Sequence, residues 1–228
     1  MNHTATRYAG LVCVVLAALS ILVAPLNALA RMRTDDGRSD FENPLAHWWA
    51  DPATDAFGGL LDWGSPDAVY ETYGKFYVLA MLAALACALA VRSGRPAQMR
   101  WSERWGWRLT LTSYVLLSVA IFFTYWVANV DVVHLAVTMP ALLLSAIGQT
   151  MLGIGLIRSR FVPRTTAWVL ALSFPLSQVL VMISTQALGI WPLLFAWAVA
   201  GWSLWRSGSR AGLPRPAEQP LGPPVARQ

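Results

Sequence analysis

The chain has 228 residues, of which 56% are hydrophobic and 13% charged, and a formal net charge of +5. A soluble domain carries roughly 25% charged residues, so the composition excludes an ordinary water-soluble domain. The basic residues sit in short connections beside apolar runs, which excludes a nucleic-acid surface as the reason for the positive charge.

Six apolar runs long enough to cross a bilayer follow one another along the chain. The first covers 8–30 and is preceded by Arg7. Two readings are open for it. Arg7, Pro25 and the Ala28-Leu29-Ala30 triplet have the layout of a cleavable signal peptide. The length of the run favours a retained membrane helix.

The connection at 31–72 is the one large extramembrane element. Phe41, Leu45, Trp48 and Trp49 recur at helical spacing, which predicts one apolar helix face. Phe57, Leu60, Leu61 and Trp63 follow, and Gly58-Gly59 and Gly64 are expected to break the segment. Ser65-Pro66 reads as an N-cap followed by proline at the first helical position. The second membrane helix is therefore predicted to begin near Pro66, with Tyr70, Tyr73, Phe76 and Tyr77 at the interface. Two readings remain for the loop: an interfacial amphipathic segment with Trp48 and Trp49 at headgroup level, or a lid that packs across the bundle and closes a pocket.

The remaining apolar runs are 73–91, 109–128, 132–157, 166–187 and 190–205. Nothing alternates with period two over barrel-strand lengths, so the expected fold is an all-α, six-helix polytopic bundle at 1–206. The segment 207–228 is rich in proline and glycine and is expected to be a disordered tail. Pro140 and Pro175 fall inside the fourth and fifth helices, where proline can kink the chain. Gly148, Gly153 and Gly155 permit close packing of the fourth.

Charge sorts by connection. Arg7, the cluster Arg92, Arg95, Arg100, Arg104 and Arg108, the cluster Arg158, Arg160 and Arg164, and the tail arginines all fall on one side of the alternating topology. Only Glu103 and Glu218 accompany them; every other acid lies in the large loop or at Asp131. The positive-inside rule then predicts both termini in the cytoplasm of a bacterium, in its inner membrane, and the acidic loop outside. The run from Arg100 to Arg108 interleaves arginine with Trp101, Trp105 and Trp107, which suits an anionic inner leaflet. Membrane lipids are the expected partners, with a membrane-protein partner or a second copy also open.

Catalytic motifs are absent: no HExxH, GxSxG, phosphate-binding loop or dinucleotide fingerprint occurs. Cys13 and Cys87 sit within apolar runs and read as small buried hydrophobes. The best polar constellation is Asp131 with His134, three residues apart on one helical face, with Asn129 beside them and Asn27 at the same end of the first helix. His47 in the loop could join them. A carboxylate that orients an imidazole serves acid–base chemistry or metal binding; the alternative is an ordinary wet interface pair. Deeper polar groups are uncharged. Gln149 and Ser145 lie in the fourth helix, Ser173, Ser177, Gln178, Ser184, Thr185 and Gln186 in the fifth. Such groups bond across helices or line a substrate path. The absence of mid-bilayer charge disfavours a pump or ion-coupled transporter.

The stretches Gly153 to Arg158, Val162 to Trp168 and Gly201 to Arg206 resemble uncharacterised polytopic membrane proteins of high-GC actinobacteria. The resemblance covers the fourth to sixth helices. It implies a multi-pass helical fold and carries no activity, cofactor or site residue.

The leading expectation is a non-enzymatic membrane protein that binds a lipid or other apolar molecule or serves as a subunit of a membrane complex. Trp48, Trp49, Asn27, Asn129, Gln149 and Gln178 are its ligand or interface candidates. The alternative is an external-face enzyme or metal-binding protein using Asp131, His134 and His47, and a passive transporter comes third. No cofactor is assigned. Ligand binding predicts a sizeable cavity beneath the loop; a scaffold predicts a tightly filled bundle.

Overall fold

The computed structural model describes residues 3–37, 43–127, 134–184 and 186–210, and among these no strand occurs. Helix α1 spans His3–Met32. The loop contributes α2 (Pro44–Leu61) and α3 (Pro66–Gly74), and α4 covers Phe76–Ser93. Helix α5 (Trp101–Phe122) runs into a π turn at Phe123–Val127, and a second π turn, His134–Thr138, leads into α6 (Met139–Arg158). Helix α7 is Arg164–Ile183, a 3-10 turn covers Gln186–Ile190, and α8 is Trp191–Arg210. Among the described residues, six helical stretches are long and apolar enough to cross a membrane: Thr4–Met32, Pro66–Ser93, Trp101–Val127, Ala136–Arg158, Arg164–Ile183 and Ala187–Arg206. The chain is an all-α polytopic bundle.

The six spans close into a ring in the order α1, α4, α5, α6, α7, α8 and back to α1, with α8 also touching α4 across it. Leu22, Leu79, Leu143, Leu172, Val179 and Phe195 are exposed on the outside of the ring. In water such a surface would be unstable; in a bilayer it faces lipid tails. Where there is no water to squeeze out, helices are held by close packing and buried polar bonds. Glycines supply the close packing. Gly10 of α1 and Gly201 of α8 face each other, and a Cβ on either would meet the other's carbonyl oxygen at 2.5 Å. Gly106 of α5 sits against the Leu152 backbone, while Gly148 and Gly155 of α6 face α5 at Thr110 and Glu103. Gly153 points the other way, against Ala171 and Ala167 of α7.

One end of the ring carries the arginine clusters around Arg95 and Arg160, and the other carries the loop, with Arg31 and Arg33. In the arginine half the centre is filled. Trp107, Tyr114, Leu152, Leu170 and Trp197 are fully buried there. The Trp197 indole donates to the Tyr114 hydroxyl at 2.8 Å, with the two rings edge to face. Tyr114→Phe would strand that buried indole N–H. We expect a loss of about 1–3 kcal/mol of stability, read as a lower denaturation midpoint in a titration of the detergent-solubilised protein. An unchanged midpoint would mean that the bond contributes nothing.

Local sequence explains most element ends. Ser65 Oγ accepts from the Ala68 amide at 3.3 Å with Pro66 at the first helical position, so α3 begins where the Ser-Pro pair predicts. Asn43 caps α2 in the same way, accepting from the Leu45 amide at 3.0 Å. Pro140 lacks the N–H that an α-turn needs, and the π turn lies just ahead of it.

Several boundaries differ from expectation. Helix α2 runs through Gly58-Gly59, since neither glycine has positive φ and the helix ends only at Leu61. Its buried face is Ala46, Ala50 and Leu61, while Leu45 and Trp48 are exposed. The supposed single apolar face thus divides, and Phe41 lies outside the described residues. Helix α5 begins at Trp101, so the arginine–tryptophan run is helical rather than a connection. Trp101 and Trp105 are exposed, but Trp107 is buried in the core. The second span is broken at Lys75, whose ammonium lies over the Trp126 ring at 5.3 Å. Helix α7 stops at Ile183, so Ser184 ends it and Gln186 opens the 3-10 turn; Thr185 lies outside the described residues. Helix α8 continues to Arg210, so 207–210 are helical, and the rest of the expected tail lies outside the described residues.

Candidate functional site

The loop half of the ring is not filled. A cavity of about 500 Å³ occupies it, bounded by α1, α3, α4, α5, α6, α7 and α8. The aromatic plug described above lies on the arginine side, which gives the cavity a closed inner end. The volume is in the range of small-molecule sites, roughly 300–1,000 Å³.

Its roof is polar and cross-linked. Arg31, near the end of α1, donates to the Tyr70 hydroxyl at 3.4 Å, and its guanidinium lies 5.7 Å from the Tyr70 ring centre. The Tyr70 and Tyr125 hydroxyls share a hydrogen bond of 3.0 Å, and their rings meet edge to face. Asn27, only 1% exposed, donates its amide to the Tyr70 carbonyl at 3.0 Å. Gly74 makes this possible, because a Cβ there would run into the Tyr125 ring. Tyr77 completes the roof, donating to the Ala187 carbonyl at 3.4 Å.

The wall between α6 and α7 is different. Met139, Leu142 and Phe174 line the cavity and are also exposed on the bundle's flank, as is Gln178. The outer halves of α6 and α7 therefore carry this wall of the cavity to the flank of the bundle. Farther in, where Gly153 meets Ala171, the two helices are in contact. Polar groups continue down the wall. Gln149 donates to Ser145 Oγ at 2.5 Å, and both line the cavity. Ser177 donates to the Gly189 carbonyl at 2.7 Å, tying α7 to the 3-10 turn.

The structure brings Asn27, Gln149 and Gln178 to this one cavity. It does not bring Trp48 or Trp49 there. Trp48 is 69% exposed, on the outward face of α2. Trp49 turns inward, and its indole donates to the Ile183 carbonyl at 2.8 Å, while Asn43 donates to the Met182 carbonyl at 2.8 Å. These are carbonyls at the C-terminus of α7, which have no partner within their own helix. Helix α2 therefore serves as a cap on α7, with one tryptophan outward and one inward, and the cavity roof is built from α1 and α3 instead.

Among the described residues, no group of three His, Cys, Asp or Glu side chains is placed to share a metal, and of the candidate metal or acid–base constellation only the His47 side chain lies within them. His47 Nδ1 lies 3.5 Å from Asp51 on the exposed side of α2. Asp131, Asn129 and the His134 side chain lie outside the described residues; the His134 backbone opens the second π turn. Cys13 and Cys87 are buried free thiols.

Sequence reasoning missed Arg31 and Tyr125 as roof residues and named Tyr70 only as an interface residue. No local signal marks them, because they lie on separate helices and converge only when the ring closes. No protein-family model matches the chain, and no curated protein or solved structure matches it either.

Proposed function

We propose that this membrane protein binds an amphiphilic molecule taken laterally from the bilayer. Its apolar part would lie between α6 and α7 and its polar part beneath the Arg31–Tyr70–Tyr125 roof. The carrying observation is a cavity whose apolar wall is exposed on the lipid-facing flank while its roof is lined by a guanidinium, phenols and an amide. A tightly filled scaffold would not leave such a space, and ligand sites combine an apolar lining with a few placed polar groups in this way. The arrangement needs no catalytic group. The arginine distribution supports placing the arginine end in the cytoplasm of a bacterial cell and the cavity in the outer half of the inner membrane.

The test is the intact native mass of the protein extracted gently from its host membrane. The wild type is expected to carry a reproducible added mass. Ala146→Phe places a ring in the cavity wall and is expected to fold, with a cooperative thermal transition, and to lose that mass. An apo mass for the wild type, or the same added mass in Ala146→Phe, would overturn the reading.

A further inference from the structure

A second cavity, of about 550 Å³, lies at the opposite end of the bundle, among the start of α1, the ends of α4 and α8, and the connection from α6 to α7. Arg95 and Arg160 line it, together with the hydroxyl-bearing Thr6, Ser93 and Ser203. Val91 and Leu204 give it an apolar side.

The two arginines are held in different ways. Arg95 is fixed in place. Its guanidinium donates to Glu103 through Nε at 2.9 Å, and its Nη2 lies 2.9 Å from the same carboxylate oxygen and donates to Ser159 Oγ at 2.7 Å. Phe161 lies beneath it, 5.6 Å from the guanidinium carbon to the ring centre. Glu103 neutralises Arg95, and it is the one acid among the described residues at this end. The second arginine therefore leaves the cavity with net positive charge.

Arg160 occupies a position where the backbone favours another residue. Helix α6 ends in a Schellman turn: the Arg160 amide donates to the Ile157 carbonyl at 3.1 Å and the Phe161 amide to the Leu156 carbonyl at 3.0 Å. The residue at the turn has φ of 54°. Glycine usually holds this place because it lacks the Cβ that makes left-handed backbone costly. Arginine here works against backbone preference, and an outlier of this kind points from strain to function. A positive-inside bias does not explain it, since an arginine one or two residues away would serve equally well.

We propose that this cavity binds a phosphate-type oxyanion, with Arg160 as its principal charge and Arg95 as a pre-positioned second donor. Arginine suits that task because its planar fork matches phosphate oxygens in pairs. The oxyanion could be the headgroup of an anionic lipid or a free anion, and the experiment separates the two.

The test uses the full chain in neutral maltoside detergent, in the Ala146→Phe background so that lipid in the other cavity does not contribute. The probes are phosphatidylglycerol, phosphatidylcholine and inorganic phosphate, with binding read by native mass and by thermal shift. Arg160→Gly and Arg160→Asn both accept left-handed backbone and remove the charge; Arg160→Lys keeps it. Phosphatidylglycerol is expected to bind the parent about tenfold more tightly than either uncharged variant, with lysine intermediate and phosphatidylcholine indifferent to the change. The glycine variant is expected to unfold at the same temperature as the parent or higher. If inorganic phosphate shows the Arg160 dependence and the lipid does not, the site holds a free anion. Equal binding of every probe to parent and uncharged variants would overturn the proposal, and so would a lower unfolding temperature for Arg160→Gly. Because the two cavities lie at opposite ends and depend on different residues, failure here leaves the amphiphile reading untouched.

Discussion

Gly153→Ala is expected to destabilise the protein by about 1–3 kcal/mol, while Gly59→Ala, the same chemical change, is expected to stabilise it by up to about 1 kcal/mol. Gly153 is the contact between α6 and α7. An added Cβ would fall on the backbone of Ala171 and the carbonyl of Ala167, and backbone cannot rotate aside as a side chain can. The helices would have to separate along their inner halves, which also props open the cavity at its closed end. Gly59 has nothing within 4 Å of the Cβ position and lies in α2 with ordinary helical φ. There alanine meets no obstacle and lowers the entropy lost on forming the helix. Midpoints of denaturant titrations in detergent check both. Similar effects of the same sign at the two positions would mean that α6 and α7 are not in backbone contact.

The second large effect concerns the ion pair at the arginine end. Glu103 is 2% exposed and accepts from Arg95, whose side chain is itself largely covered. Glu103→Gln keeps the shape that packs under Gly155 but leaves the guanidinium without its counter-charge. Breaking a buried pair from one side costs about 3 kcal/mol, because the remaining charge stays desolvated. Arg95→Met alone strands the carboxylate and should cost a similar amount. The double variant removes both charges and is expected to recover most of the loss, giving a coupling well above the roughly 0.5 kcal/mol scatter of independent sites. Simple additivity of the two single variants would show that the charges are solvated rather than paired within the protein.

These residues also show where sequence reading stops. Hydropathy over windows of about 20 residues found the spans, because lipid makes each segment's apolarity a local requirement. The Ser65-Pro66 start of α3 was legible for the same reason, since a cap forms within a few residues. Glu103 was read as an acid in a basic connection. Its burial depends on Arg95, eight residues before it, folding back from the end of α4 and on Gly155 closing from α6, and neither contact is set by Glu103's own helix. The loop tryptophans are a sharper case. Trp48 and Trp49 are neighbours with one composition, yet one faces outward and the other caps α7. Adjacent positions on a helix point about 100° apart, so the docking of α2 decides between them.

The candidate cavity followed the same division. Asn27, Gln149 and Gln178 stood out because a polar group in an apolar run needs a partner or a wet surface. That need marks a residue without saying what it faces. Arg31, Tyr70 and Tyr125 come from α1, α3 and the π turn after α5, and their contact depends on the ring closing and on Gly74 leaving room for a phenol. The sequence by itself determined the all-α class, the number of spans and the sorting of arginine to one end, since each is a property of a segment and its solvent. The tertiary structure alone decided that aromatic side chains fill the arginine half and leave the other half open, because packing at the centre of a ring depends on several helices meeting at once.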